Sequence, residues 1–186
     1  MINLTVNNVP VSVEDGTTVL DAAAKAGIKI PTLCHLDGVS SPGSCRVCLV
    51  EIKGARTLQP SCVTKVAEGM AVSTNTKLAR DARRLSVELM LANHPWDCNA
   101  CVRNNDCELQ SLAKEMGISE VRFPYEKEEI PLDKSTPALV RDMNKCVLCR
   151  RCVRTCIDFQ EVGVYEACNR SDETKIETFR DKPLAD

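Results

Sequence analysis

Twelve cysteines in 186 residues fall into three groups with one left over, and no other feature limits the possible folds as strongly. The start, Met1-Ile2-Asn3-Leu4, has no basic stretch followed by an apolar one, so no export signal is visible. No apolar run approaches the length that spans a bilayer. Cysteines in a chain of that kind point to metal binding rather than disulfides, because the cytosol keeps thiols reduced. We therefore expect a cytoplasmic chain without a membrane anchor. Aromatic residues make up only 3% of it, so Leu, Val, Ile and Ala must build the core. Separate small cores are easier to fill that way than one large core. The formal net charge of -2 gives no general attraction to nucleic acid or to anionic lipid.

The last group, Cys146, Cys149, Cys152 and Cys156, is spaced C-x2-C-x2-C-x3-C, the bacterial ferredoxin run for a [4Fe–4S] cluster. Zinc modules rarely chain cysteines this way. In such a run the fourth cysteine serves the other cluster of a pair. Ile157 stands where proline usually follows, and no second run appears before Asp186. Cys146, Cys149 and Cys152 thus want a fourth ligand, and Cys156 wants its cluster. Cys168 is either a substitute ligand or a plain buried or free thiol. Arg141, Lys145, Arg150, Arg151 and Arg154 crowd the run, either easing the burial of an anionic cluster or forming a solvated basic face.

The first group, Cys34, Cys45, Cys48 and Cys62, is spaced C-x10-C-x2-C-x13-C around a loop of small residues, 38–44. Four thiolates suit a [2Fe–2S] cluster, and small residues let backbone N–H groups approach its sulfurs. A four-cysteine zinc site is the alternative. The second group is His94, Cys98, Cys101 and Cys107, with His94 at the end of a helical run, four residues before a C-x2-C pair. An imidazole in place of a thiolate makes a cluster less anionic, while spacing alone leaves zinc open.

Period-two residues Ile2, Leu4 and Val6, then Val9, Val11 and Val13, flank Asn7-Asn8 and predict a β-hairpin. Thr17 or Thr18 can cap a helix over 19–26, closed by Gly27. Strands are expected over about 46–53 and 70–74, making a small α+β domain. Leu78, Leu85, Leu89 and Ala92, then Leu109, Leu112 and Met116, recur at helical spacing. Pro124, Pro131, Pro137 and the acidic stretch 126–129 predict a linker. Beyond about Ala138 little periodicity remains.

The segments Pro31-Thr32-Leu33-Cys34-His35, Gly43-Ser44-Cys45-Arg46-Val47-Cys48-Leu49-Val50-Glu51, His94-Pro95-Trp96-Asp97-Cys98 and Cys107-Glu108-Leu109-Gln110 follow in order. Arg141-Asp142 then precedes Lys145-Cys146-Val147-Leu148-Cys149-Arg150-Arg151-Cys152-Val153. Together they resemble the N-terminal electron-transfer region of multi-cluster [FeFe]-hydrogenases of the NAD(P)-linked, electron-bifurcating type. The start of the large iron–sulfur subunit of respiratory complex I is the next nearest likeness. The resemblance implies an α+β chain in three parts. A β-grasp [2Fe–2S] ferredoxin domain would occupy residues 1–78, with Cys34, Cys45, Cys48 and Cys62 as ligands. A helical [4Fe–4S] domain would occupy 79–120, with His94, Cys98, Cys101 and Cys107. After a linker, 121–137, a partial ferredoxin-like [4Fe–4S] domain would fill 138–186. There Cys146, Cys149 and Cys152 would begin one cluster and Cys156 would serve its partner.

The implied function is a relay of single electrons toward a remote hydrogen-activating site, with no catalysis by this segment alone. The implied partners are flavin- and iron–sulfur-containing diaphorase-type subunits or ferredoxin, and a catalytic domain or subunit missing here. The chain lacks the later cysteine motifs of that family, so a fragment of a longer protein is expected, with a natural short subunit as the alternative. The same relay in an NADH dehydrogenase or an NAD-linked formate dehydrogenase is the alternative, and a zinc-stabilised binding module is a remote one.

Overall fold

The structure, a computed structural model, describes residues 1–123, 129–178, 180 and 182–183. Residues 124–128, which carry Pro124 and most of the acidic stretch of the expected linker, lie outside the described residues.

The alternating valines do form a hairpin. β1 (Ile2–Val6) pairs antiparallel with β2 (Val9–Val13), and Asn7 and Asn8 both take positive φ, as a tight twisted turn requires. Leu4, Val6, Val11 and Val13 point into the core, while the residues between them reach solvent. α1 (Val19–Lys25) starts at Thr18, whose hydroxyl accepts the Asp21 N–H. It stops at Gly27, where positive φ lets Gly27 N–H reach the Ala24 carbonyl and Ile28 N–H reach that of Ala23.

β3 (Leu49–Ile52), β4 (Gln59–Pro60) and β5 (Ala71–Ser73) complete a five-stranded mixed sheet in the order β2-β1-β5-β3-β4. The β1–β5 pair is parallel and the other pairs are antiparallel. β3 is shorter than the expected 46–53, because Arg46 is left-handed and residues 45–48 wind around the first cysteine group instead. Val19, Ala22 and Ala23 of α1 close the core over the valines of the sheet, and Cys48 and Cys62 lie at its edge.

α2 (Lys77–Ala92) falls where periodicity places it, capped by Thr76. Its buried face was not legible. Leu78, Leu85 and Leu89 are exposed, and Ala79, Arg83, Val87, Glu88 and Leu91 turn inward. Arg83 donates from Nε to the Leu49 carbonyl at 2.8 Å, fastening the helix to β3. Glu88, 2% exposed, takes a bidentate pair from Arg122 (both 2.6 Å) and also its backbone N–H. These bonds hold the Glu88 carboxyl down at about 2. α3 (Glu108–Glu115) buries Leu109, Leu112 and Ala113, and left-handed Gly117 lets Ile118 N–H close on the Ala113 carbonyl.

Leu33, Val47, Val87, Leu91, Leu109, Leu112 and Ile118 make a second core, distinct from that of the sheet. Among the described residues neither core contains an aromatic one. Each buried Leu or Val stabilises by about 1.5–3 kcal/mol.

The last part has more order than its sequence suggested. A 3-10 turn (Met143–Lys145) leads into the third cysteine run, followed by α4 (Arg151–Arg154) and a π-helical turn (Thr155–Phe159). An antiparallel pair then forms, β6 (Tyr165–Cys168) with β7 (Lys175–Thr178). Arg141 ties the preceding stretch to it, pairing with Asp133 at 3.3 Å while its guanidinium lies 5.9 Å from the centre of the Tyr165 ring. Among the described residues no helix is long and apolar enough to cross a membrane.

Candidate metal centres

The fold brings Cys34, Cys45, Cys48 and Cys62 together. Cys34 enters from the loop after α1, Cys45 and Cys48 precede β3, and Cys62 follows β4. All four are buried, and their sulfurs form one string of contacts, Cys45–Cys34–Cys62–Cys48. The Cys48 and Cys62 sulfurs are 3.4 Å apart. The four share protons unevenly. Hydrogen bonds from neighbouring thiols hold Cys34 far below the usual thiol range and Cys48 down to about 6, while Cys45 and Cys62 are pushed up. Four buried thiols in mutual contact are a donor set that thiolate-bound iron would take up, since the thiolate is the form that binds metal. Ser61 is fully buried, its hydroxyl has no conventional hydrogen-bond partner, and its influence falls on the Cys48 sulfur. A sealed hydroxyl directed at the sulfur of one of four touching thiols fits a site that holds anionic sulfur.

His94, Cys98, Cys101 and Cys107 line one cavity of about 150 Å³. His94 follows the C-terminus of α2, and Cys107 caps α3 with its backbone while its thiol makes no capping bond. Between them the chain turns through Cys101 N–H to the Cys98 carbonyl and Asn104 N–H to that of Cys101, with Asn105 left-handed. His94 Nδ1 lies 2.9 Å from the Pro95 carbonyl, and Nε2 lies 3.3 Å from that of Lys145. Both ring nitrogens face carbonyl acceptors, so the proton sits on one of them; with it on Nδ1, Nε2 becomes the candidate ligand once its contact with the Lys145 carbonyl is given up. The cavity and this tautomer fit a cluster held by one imidazole and three thiolates.

In the third run Cys146 and Cys149 sit on a loop with Leu148 and Arg150 both left-handed, and Cys152 lies in the short α4. Curled backbone of this sort costs about 1–3 kcal/mol per strained residue and gathers N–H groups around an anion. Burial of its sulfur and the nearby Cys146 and Cys149 raise Cys152 above its ordinary value, although much of the residue reaches solvent. Cys156 stands apart. Its buried sulfur accepts the Val164 N–H at 3.2 Å, inside the small fold made with β6. Cys168 ends β6 and is opposite Lys175 of β7. None of the twelve cysteines is in a disulfide. Among the described residues no three or more His, Cys, Asp or Glu side chains are grouped for a single metal ion.

The three sites are joined. Cys34 and Cys45 are members of the second core, and Cys107, Val147 and Cys149 pack against it. Ser40 N–H in the first loop donates to Asp158 at 2.7 Å, two residues after Cys156. Arg151 forms a bidentate pair with Glu108, the residue after Cys107, at 2.8 and 2.7 Å. In the sequence Arg151 stands out only as one of several cations and Glu108 only as a member of the Cys107-Glu108-Leu109-Gln110 segment, while Ser61 and Asp158 do not stand out at all. The signal for Ser61 and Glu108 was their place beside Cys62 and Cys107.

Fold and sites define an iron–sulfur protein with both [2Fe–2S] and [4Fe–4S] modules. Residues 1–77 match the 2Fe-2S iron-sulfur cluster binding domain, and residues 83–122 match the NADH-ubiquinone oxidoreductase-G iron-sulfur binding region. Residues 136–186 match the ferredoxin-like domain of NADH-quinone oxidoreductase subunit 3. The NADP-reducing hydrogenase subunit HndD of Solidesulfovibrio fructosivorans is 40% identical over 193 residues, covering 100% of this chain and 33% of that protein. The NADH-ubiquinone oxidoreductase 75 kDa subunit of Reclinomonas americana is 36% identical over 183 residues, 98% of this chain and 26% of that protein. A chain in the crystal structure of an NAD+-reducing [NiFe]-hydrogenase in the H2-reduced state superposes with a TM-score of 0.88 at 30% identity. The match covers 95% of this chain and 74% of that one. The chain belongs to the family of iron–sulfur subunits that NAD(P)-linked hydrogenases share with the NADH-quinone oxidoreductases. It spans a third or less of the length of these two curated relatives.

Proposed function

We propose that this chain is an electron relay of an NAD(P)-linked hydrogenase of the [FeFe] type, passing single electrons between a redox partner and a remote hydrogen-activating site. One observation carries the reading. Cysteines from three separate sites meet at a single apolar core, so only a few side chains such as Leu33 and Val147 stand between candidate ligands. The clusters supply one-electron oxidation and reduction when bound.

The chain's own residues hold and insulate. Cys34, Cys45, Cys48 and Cys62 take the [2Fe–2S] cluster of a β-grasp domain, residues 1–78. His94, Cys98, Cys101 and Cys107 take a [4Fe–4S] cluster in residues 79–120. After a linker, 121–137, Cys146, Cys149 and Cys152 begin a second [4Fe–4S] site within 138–186, and Cys156 serves its neighbour. Val47, Val87 and Leu91 keep water out of the junction. Flavin-containing diaphorase-type subunits or ferredoxin would exchange electrons with it, and a further domain or subunit would activate hydrogen. Unpaired cysteines throughout suit the cytoplasm.

The 36% identity to the 75 kDa subunit favours a second reading, the same relay in an NADH-ubiquinone or NADH-quinone oxidoreductase. Co-purification of partner subunits separates the two. Iron and sulfide analysis with EPR tests the relay itself. At least two distinguishable reduced-cluster signals are expected, and zinc without iron or sulfide would overturn it.

A further inference from the structure

Arg151 occupies an unusual position. It lies between Cys149 and Cys152 in sequence, yet both its terminal nitrogens are locked onto Glu108, next to Cys107 of another site. A cavity of about 300 Å³ opens between the two sites, lined by Cys101, Cys107, Cys149 and Arg151 together with Leu33 and His94. The Arg151 Nε is buried and has no hydrogen-bond partner among the described residues.

We infer that Arg151 is a fixed cation shared by the two [4Fe–4S] sites, its Nε–H donating to cluster sulfur and its position set by Glu108. The inference rests on the cluster assignment above. A planar guanidinium gripped at both terminal nitrogens cannot turn, so the direction of its remaining N–H is set as well. A buried donor without a partner is costly, and an anionic sulfur in the adjoining cavity removes that cost. Glu108 offsets only part of the charge, because its side chain is half in water while Arg151 is mostly enclosed. Reduction adds one negative charge to a cluster. A cation held nearby stabilises the reduced form more than the oxidised form and raises the potential. Glu108 is then a positioning residue.

The experiment is an EPR-monitored redox titration of the cluster-loaded protein and its variants. Arg151→Gln is expected to shift the [4Fe–4S] midpoint or midpoints to more negative values and to move the [2Fe–2S] midpoint least. Arg151→Lys keeps the charge but loses the fork, and a smaller shift of the same sign is expected. Glu108→Gln keeps one oxygen to accept from Arg151 and hold it in place while removing the charge that partly offsets it, so the same midpoints are expected to shift upward; this still decides the matter if Arg151→Gln fails to load iron. Unchanged [4Fe–4S] midpoints overturn the inference. So do shifts of one sign for Arg151→Gln and Glu108→Gln, which a purely structural role would give. Wild-type protein without any [4Fe–4S] signal would instead overturn the relay reading, and this inference with it.

Discussion

The first and third cysteine sites carry similar ligands on opposite kinds of scaffold. Cys34, Cys45, Cys48 and Cys62 are buried against a sheet and a helix, and their sulfurs touch before any metal is considered. Cys146 and Cys149 sit on a loop of left-handed turns and Cys152 on the short α4, all partly open to solvent and supported by helical turns and a two-stranded sheet. In the first site the burial of Val6, Val50 and Val72 orders the backbone whatever the sulfurs hold. In the third, few apolar side chains among the described residues are buried besides Val153 and Ile176, so a cluster bound there would contribute much of the order. Where ligands are brought together only in the folded state, binding free energy becomes folding free energy.

The largest expected effect follows from that contrast. Stripping iron with a chelator should abolish amide-exchange protection over residues 141–178 while strands β1 to β5 keep most of theirs. Hydrogen exchange read by mass spectrometry checks this, and equal loss in both regions would erase the distinction.

A smaller effect tests where the two scaffolds are joined. Leu91 is 6% exposed in the shared core, whereas Leu89 on the same helix is 51% exposed. Leu91→Ala should cost about 2–5 kcal/mol of stability. Leu89→Ala should stay within about 0.5 kcal/mol, as ordinary surface changes do. Chemical denaturation of the two variants measures both, and comparable losses would mean that the inner face of α2 is misassigned.

That pair of leucines also marks how far the sequence could be read. The hairpin, α1, α2 and α3 were legible because period and capping residues are local: Asn7-Asn8, Thr18 and Gly117 each act within a few residues of themselves. The buried face of α2 was not. Leu78, Leu85 and Leu89 carry the apolar signal, but the inward positions belong partly to Arg83 and Glu88. Their partners, the Leu49 carbonyl and Arg122, are 34 residues away in the chain. β6 and β7 escaped notice for a related reason: Tyr165–Cys168 and Lys175–Thr178 mix charged and apolar residues and are ordered by pairing with each other. Candidate ligands were legible from spacing, because metal geometry sets spacing. Of the residues serving those ligands, Arg151 was legible only as one cation among several, and the roles of Ser61 and Glu108 were not legible, since the groups they meet lie across the fold.

Ser61 supplies the smallest and most specific prediction. Its hydroxyl is sealed inside the first site without a conventional partner, next to the Cys48 sulfur. Among the described residues the third site has no hydroxyl so tightly enclosed, since its thiols are half in water and water can supply their hydrogen bonds. Removing the hydroxyl with Ser61→Ala deletes one donor that favours the more negative, reduced cluster, and no water can enter to replace it. A hydrogen bond of about 0.5–1.5 kcal/mol that strengthens on reduction corresponds to a fall on the order of 20–60 mV for a one-electron couple. The [2Fe–2S] midpoint should move negative by that amount in a redox titration, and the [4Fe–4S] midpoints should not move. A shift appearing equally at all clusters would mean that the variant loosens the shared core, and that the first site is less self-contained than its packing indicates.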